Sequence, residues 1–136
     1  MKPEAIQELI TYRMEKSKEA IKAAEIMLEN SMLTFAMNRI YYSMFYAVQS
    51  LLAFDGVSFS KHGQVKGYFN RDWIKSGKFP KASGQLYNKP FEYRQKFDYV
   101  DFAAPNLDMV AEYIQKANEF YKEIDVFLRN ETRTNH

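Results

Sequence analysis

The chain has 136 residues, of which 46% are hydrophobic and 16% aromatic. This is enough apolar material for one folded core and too much for a disordered chain. The absence of cysteine excludes disulfides and thiolate-bound metals, and two histidines are too few ligands for a conventional zinc or di-iron centre. We therefore expect a single domain over residues 1–136 with no metal and no cofactor.

The charge pattern separates the middle of the chain from its two ends. The net charge is only +2, but residues 58–99 contain nine basic and three acidic side chains. The positive charge of this middle segment favours the binding of phosphate groups, although a solvated basic surface would show the same pattern. No segment approaches the ~18 apolar residues of a membrane span, and the charged N-terminal segment lacks the apolar run of a signal peptide. We expect a cytoplasmic protein with no membrane partner.

Two long helices are predicted at the start of the chain. Apolar residues recur at helical spacing over residues 3–29 and leave a mixed-charge face for solvent. The segment from about Leu33 to Phe54 is apolar almost all round, which indicates a helix buried at the centre of the fold. Gly56 supplies the left-handed residue that commonly ends such a helix.

The rest of the chain predicts shorter helices and one more long helix. Ser60 is the expected cap of a helix from Lys61 to about Trp73. A helix follows from Lys81 to about Phe97, in which Pro90 must introduce a kink or begin a new helix. Residues 98–106 are predicted as extended or turn, with Asn106 as the cap of a last helix that ends near Arg129 before a frayed tail of residues 130–136. No segment alternates as a strand would. The fold class is all-α, an antiparallel up-down four-helix bundle with an additional short helix.

The second helix carries a polar strip on its apolar surface. Asn38, Tyr42 and Gln49 share one face, and Arg39 lies beside them. An arginine in so apolar a helix needs a partner, because an unpaired buried charge is costly. The structural interpretation pairs Arg39 with a carboxylate of a neighbouring helix and the tyrosine hydroxyls with backbone groups. The functional interpretation is a polar site or a dimer interface.

A second polar cluster is the segment from Tyr93 to Tyr99. Arg94 and Asp98 are four residues apart and can pair on a helix, as in many structural ion pairs. An arginine, a carboxylate and a tyrosine within one turn could also bind phosphate or move a proton.

Three motifs resemble those of one known family. The run from Asn38 to Ala47, NRIYYSMFYA, is similar to the "SRAYYAMFYAA" helix of small bacterial and archaeal HEPN-domain proteins. Ser60-Lys61-His62 resembles the "S-x-H" pattern of that group, and the segment from Arg94 to Tyr99 resembles its "R-x-x-x-D-Y" pattern. The resemblance covers roughly residues 5–128.

The resemblance implies an antiparallel helical bundle that often forms a homodimer. It also implies a minimal nucleotidyltransferase as partner protein and a place in toxin–antitoxin or other RNA-directed stress and defence systems. Many HEPN proteins are metal-independent RNases that use an Arg-x(4–6)-His motif from both subunits. Here the run from Arg94 reaches Asp98 and Tyr99 without a histidine. The formal match from Arg129 to His136 lies in the tail, and we interpret it as coincidence.

Three hypotheses follow from these patterns. The first is a HEPN module, non-catalytic or weakly catalytic, that binds nucleotide or RNA and acts with a nucleotidyltransferase. The second is an active endoribonuclease toxin with a modified site, and the third is a protein-interaction bundle without catalysis. His62 could supply a titrating group, but a surface or capping role is the simpler expectation. The candidate catalytic residues are Arg94, Asp98, Tyr99 and His62, and the candidate nucleotide- or RNA-binding residues are Asn38, Arg39, Tyr42, Lys66, Arg71 and Lys75.

Overall fold

The computed structural model describes the backbone of residues 3–134 and the side chains of residues 3–131. This part of the chain is all-helical and contains no strand. It confirms the predicted helical bundle. The helices are α1 (Pro3–Glu29), α2 (Leu33–Asp55), α3 (His62–Tyr68), which continues into a π-helical segment (Phe69–Lys75), α4 (Lys81–Tyr99) and α5 (Leu107–Thr134).

The two long N-terminal helices pack antiparallel. The Ser17 hydroxyl donates to the Ser43 carbonyl at 2.6 Å, and the Ser50 hydroxyl donates to the Ile10 carbonyl at 3.4 Å. The two bonds join residue 17 to residue 43 and residue 10 to residue 50, so the two helices run in opposite directions. α5 packs against both helices and α4 packs against α2, so α2 lies at the centre of the bundle. Twelve residues of α2 are buried, as its uninterrupted apolar pattern predicts.

A cluster of aromatic rings fills one end of the core. Trp73 is fully buried between Phe54, Phe79 and Phe127, with ring centroids 5.1–6.2 Å from its own. Burial of each large ring stabilises the fold by about 2–3 kcal/mol relative to exposure. The Trp73 indole donates to the Asp55 carboxylate at 2.9 Å, and the Tyr68 hydroxyl donates to the same oxygen at 2.7 Å. These bonds attach the helix that follows His62 to the C-terminal end of α2.

The start of the third helix differs from the prediction. Ser60 is not its cap: the N-cap is Lys61, whose backbone N–H donates to the Gln64 side chain at 3.3 Å. His62 is therefore the first helical residue. The helix also extends beyond Trp73, because the π-helical segment carries it to Lys75.

The later helix boundaries are partly as predicted. α4 passes through Pro90 without a new helix start and ends at Tyr99 rather than Phe97. Asp98 and Tyr99 are therefore helical, not extended. Asn106 caps α5 as predicted, since its side chain accepts the Met109 N–H at 2.8 Å. The prediction that α5 ends near Arg129 was wrong, because the helix continues to Thr134.

Three further expectations from the sequence can be compared with the structure. Gly56 has a φ of 74°, the left-handed conformation expected after α2. None of the described helices is both long and apolar enough to cross a membrane. Among the described residues, no group of three or more histidine or acidic side chains is arranged to hold a metal ion.

Candidate functional site

Arg94 of α4 lies against the polar strip of α2. Its guanidinium carbon is 5.2 Å from the Tyr41 ring centroid and 5.3 Å from that of Tyr42, and Nη2 donates to the Tyr42 hydroxyl at 3.3 Å. The two tyrosines are adjacent in sequence and meet edge to face, so α2 presents two ring surfaces to one cation. Such contacts stabilise a partly desolvated arginine by about 1–2 kcal/mol.

A polar network joins Arg94 to the first turns of α2. Arg94 Nε is 3.9 Å from the Asp98 carboxylate, and the Asn38 amide donates to the same carboxylate oxygen at 3.3 Å. The Asn38 side-chain oxygen in turn accepts from Arg39 at 3.0 Å, and the Arg39 guanidinium lies 4.8 Å over the Tyr42 ring. Arg94 Nε is buried without a regular hydrogen bond, because the distance to Asp98 is too long for one. The pairing with Asp98 therefore leaves some of the Arg94 donors unused.

His62 joins the same network from α3. Its Nδ1 is 2.6 Å from the hydroxyl of the fully buried Tyr41. Its ring stacks on Phe45 at 4.3 Å and meets the edge of Tyr42 at 5.7 Å. No spacing or motif in the sequence predicts that His62 lies near Arg94, yet both contact the same tyrosine pair. A surface or capping role does not describe it, since the ring is half-buried and its bond crosses to α2.

We call this group the Arg94 cluster. Lys66 borders it, because the Lys66 ammonium lies 4.6 Å over the Phe91 ring, which contacts Tyr41 edge to face at 5.8 Å. The cluster thus combines a cationic rim with a floor of aromatic rings. Its members are Asn38, Arg39, Tyr41, Tyr42, Phe45, His62, Lys66, Phe91, Arg94 and Asp98.

Burial shifts the proton affinities inside the cluster. It raises the pKa of Tyr41 to about 12, because a phenolate would be desolvated there. It lowers the pKa of His62, and the positive charge of Arg94 lowers it further. Both groups are therefore neutral at pH 7: Tyr41 keeps its proton and His62 does not take up a second one.

Three predicted site residues lie outside the cluster. Arg71 pairs with Asp72 at 3.0 Å and lies over the Tyr68 ring, at the end of α2 opposite Asn38. Lys75 follows one turn later and is exposed. Tyr99 is 74% exposed and makes none of the ring contacts of the cluster. These three side chains therefore lie outside the Arg94 cluster, and the RNA-binding roles of Arg71 and Lys75 and the catalytic role of Tyr99 stay predictions.

The structural interpretation of Arg39 was wrong. No carboxylate within the described part of the chain lies within ion-pair distance of Arg39, and its partners are an amide and a ring. The hydroxyls of Tyr41 and Tyr42 likewise bond to side chains rather than to backbone. Arg39 is thus held by residues of its own helix, whereas the two tyrosine hydroxyls bond to α3 and α4.

Sequence reasoning missed Tyr41, Phe45 and Tyr87. The Tyr41-Tyr42 doublet was visible, but helical spacing assigns Tyr41 to the core and does not identify its partner. The Tyr87 hydroxyl is buried behind Tyr41. The high number of tyrosines in the sequence could have indicated a polar network in the core, because each buried hydroxyl needs a hydrogen-bond partner.

Exposed apolar side chains lie at the same end of the bundle. The Asn38–Asp98 contact brings the start of α2 beside the end of α4. Phe35 is 61% exposed, and Phe102 is fully exposed at a φ of 64°, an uncommon conformation for an aromatic residue. We call this set the apolar end; its members are Met32, Phe35, Tyr99, Val100, Phe102 and Leu107.

The chain is similar to known proteins over most of its length. The family model of the HEPN domain matches residues 10–127. A UPF0332 protein of Thermotoga maritima is 37% identical over 91% of this chain and 94% of its own. A Methanocaldococcus jannaschii protein named "Putative toxin MJ0142" is 34% identical over 63% of this chain and 58% of its own length. A second protein of that organism, "Putative toxin MJ0605", is 30% identical over 69% of this chain and 70% of its own.

Proposed function

Because this chain belongs to the HEPN domain family, we propose that it is a toxin-like HEPN module that binds RNA or a nucleotide at the Arg94 cluster. We propose further that it acts with a minimal nucleotidyltransferase partner in a toxin–antitoxin or defence system. Two relatives carry toxin in their names, which supports the first part. The nucleotidyltransferase is proposed from the family resemblance.

The observation that carries the binding proposal is the convergence of cations on aromatic rings. Arg39, Arg94 and Lys66 come from three helices and each lies over a ring. Asp98 is the one carboxylate that the described contacts bring to them, so the cluster keeps a positive excess. Phosphate is attracted to such a surface.

A second copy of the chain is the proposed occupant of the apolar end. Monomeric proteins rarely expose several large apolar side chains together, and a partner would bury them. A two-fold axis near Phe102 would also bring the two Arg94 clusters near the interface, because the Asn38–Asp98 contact lies at this end of the bundle. Light scattering at micromolar concentration tests this, and a monomeric mass would contradict it.

The binding proposal is tested by Arg94→Ala with a fluorescent single-stranded RNA in EDTA. One charge-assisted bond to phosphate contributes about 1.5–3 kcal/mol, so affinity is expected to fall by about 10- to 150-fold. Binding by the unmodified protein should weaken as salt rises.

Arg71→Ala is the matched control. It removes the same charge and the same kind of ring contact outside the cluster. We expect less than about a threefold loss, because one distant exposed charge has only a screened effect. If the two variants lose the same affinity, RNA binding depends on the net charge of the protein and not on the Arg94 cluster. An absence of salt dependence would favour a protein-interaction bundle.

A second candidate function is metal-independent RNA cleavage. The observation that favours it is the position of His62, which contacts the same tyrosines as Arg94 although the sequence after Arg94 lacks a histidine. Cleavage that persists in EDTA and disappears in Arg94→Ala would establish it. Absence of cleavage with RNA binding intact would leave the binding module.

A further inference from the structure

A line of three polar groups runs from the core to the surface of the Arg94 cluster. Tyr87 is fully buried, and its hydroxyl has no regular hydrogen bond among the described residues. The Tyr87 ring stacks on that of its neighbour Tyr41, with the ring centroids 6.2 Å apart. The Tyr41 hydroxyl is in turn 2.6 Å from His62 Nδ1.

Counting hydrogens along this line selects one direction. If Tyr41 donates to Nδ1, its buried hydroxyl hydrogen has an acceptor. If Nδ1 carries the proton instead, the Tyr41 hydrogen is left buried with no acceptor among the described residues. Leaving a buried donor unsatisfied costs about 1–3 kcal/mol. The first direction is therefore favoured.

This direction determines what His62 presents to solvent. A neutral imidazole has one N–H, so an Nδ1 that accepts from Tyr41 leaves the hydrogen on Nε2. Nε2 makes no hydrogen bond within the described part of the chain and is not among its buried polar atoms. Stacking on Phe45 and the edge of Tyr42 hold the ring in this orientation. The outward N–H lies in the region of positive charge from Arg94 and Lys66.

We infer that Tyr41 fixes His62 as its Nε2–H tautomer and that His62 is a neutral hydrogen-bond donor for an oxygen of a phosphate-bearing ligand. This rests on the proposed function for the class of ligand, but the tautomer does not depend on it. Tyr41 is a positioning residue and His62 the group that contacts the ligand. In this state His62 is not a base for a ribose hydroxyl, because its free nitrogen faces Tyr41.

Nitrogen NMR of the imidazole tests the tautomer directly. The chain has two histidines, so His136→Gln leaves His62 as the only imidazole. At pH 7.5 we expect the proton on Nε2 and a pyridine-like Nδ1. Tyr41→Phe keeps the ring and removes the donor, and we expect a mixture of tautomers. A proton on Nδ1 in the otherwise unmodified protein overturns the inference, even if Tyr41→Phe does not fold.

Two substitutions of His62 test the donor. Glutamine can place an amide N–H near the position of Nε2, whereas the shorter asparagine places it near Nδ1. Both lose the stacking on Phe45, so they are matched. For single-stranded RNA we expect His62→Gln to stay within about threefold of the unmodified protein and His62→Asn to bind about tenfold more weakly. Equal losses overturn the donor role.

The outcomes separate this inference from the proposed function. RNA binding together with an Nδ1–H tautomer would leave the function standing and refute the inference. If RNA does not bind but inorganic phosphate shifts the His62 Nε2 resonance, the inference stands and the RNA proposal fails. If neither ligand affects Nε2, the donor role is refuted.

Discussion

Asp55 attaches the helix that carries His62 to the centre of the bundle. We therefore expect its replacement to lower the free energy of unfolding by an amount that the structure allows us to calculate. One carboxylate oxygen accepts from the buried Trp73 indole at 2.9 Å and from the half-buried Tyr68 hydroxyl at 2.7 Å. In Asp55→Ala the indole N–H is left unsatisfied, at a cost of about 1–3 kcal/mol. The Tyr68 hydroxyl can turn towards water, so its loss adds about 1 kcal/mol.

One effect opposes these losses. Asp55 is the last residue of α2, where a negative charge is unfavourable with the helix dipole by about 0.3–1 kcal/mol. The net expected loss in unfolding free energy is therefore about 2–3 kcal/mol for Asp55→Ala. At this chain length it corresponds to a melting temperature lowered by roughly 6–15 °C. Asp55→Asn also removes the charge but keeps an acceptor, and we expect a loss of only about 0–1 kcal/mol.

Urea unfolding followed by circular dichroism and by tryptophan fluorescence measures both variants. Trp73 is the only tryptophan, so its emission reports the environment of the indole that loses its partner. Asp101→Ala is the control, because it removes a charge from an exposed loop and should stay within about 0.5 kcal/mol. If Asp55→Ala and Asp55→Asn destabilise equally, the carboxylate acts through its charge and the reasoning from hydrogen bonds is wrong.

Three further predictions concern stability and assembly. Gly56→Ala is expected to cost about 1 kcal/mol in urea unfolding through its positive φ alone, because nothing lies within 4 Å of an added Cβ; a loss above 3 kcal/mol would contradict this. Phe102→Ser should reduce the mass measured by light scattering if the apolar end is the dimer interface, and an unchanged dimer would place the interface elsewhere. The pKa of His62 is lowered in the fold, so the unfolded chain takes up a proton first as pH falls below about 6.5. Stability should therefore decrease with acidification through this window, and His62→Gln should reduce the slope measured by urea unfolding at pH 5–7.

The sequence predicted several features that depend on neighbours along the chain, although it misplaced the cap of α3 and the end of α5. The all-round apolar pattern of α2 predicted its central position, and the signals at Gly56 and Asn106 predicted the ends of two helices. Pro90 did not begin a new helix, because the helix it interrupts is buried there and packs against α2 on both sides of the proline. Tertiary packing outweighed the one backbone hydrogen bond that proline cannot make.

The Arg94 cluster could be predicted only in part, for a related reason. Helical spacing identifies which residues of one helix share a face, but it does not say which other helix lies opposite. Arg94 and Asp98 are four residues apart and were found together, whereas His62 reaches them through Tyr41 of α2. A motif that is local in sequence cannot include a residue from another helix. The bundle brings α3 and α4 to the same tyrosine pair, so a histidine from another helix lies against the rings that Arg94 contacts. In the inferred tautomer its bond to Tyr41 makes it a donor instead of a base.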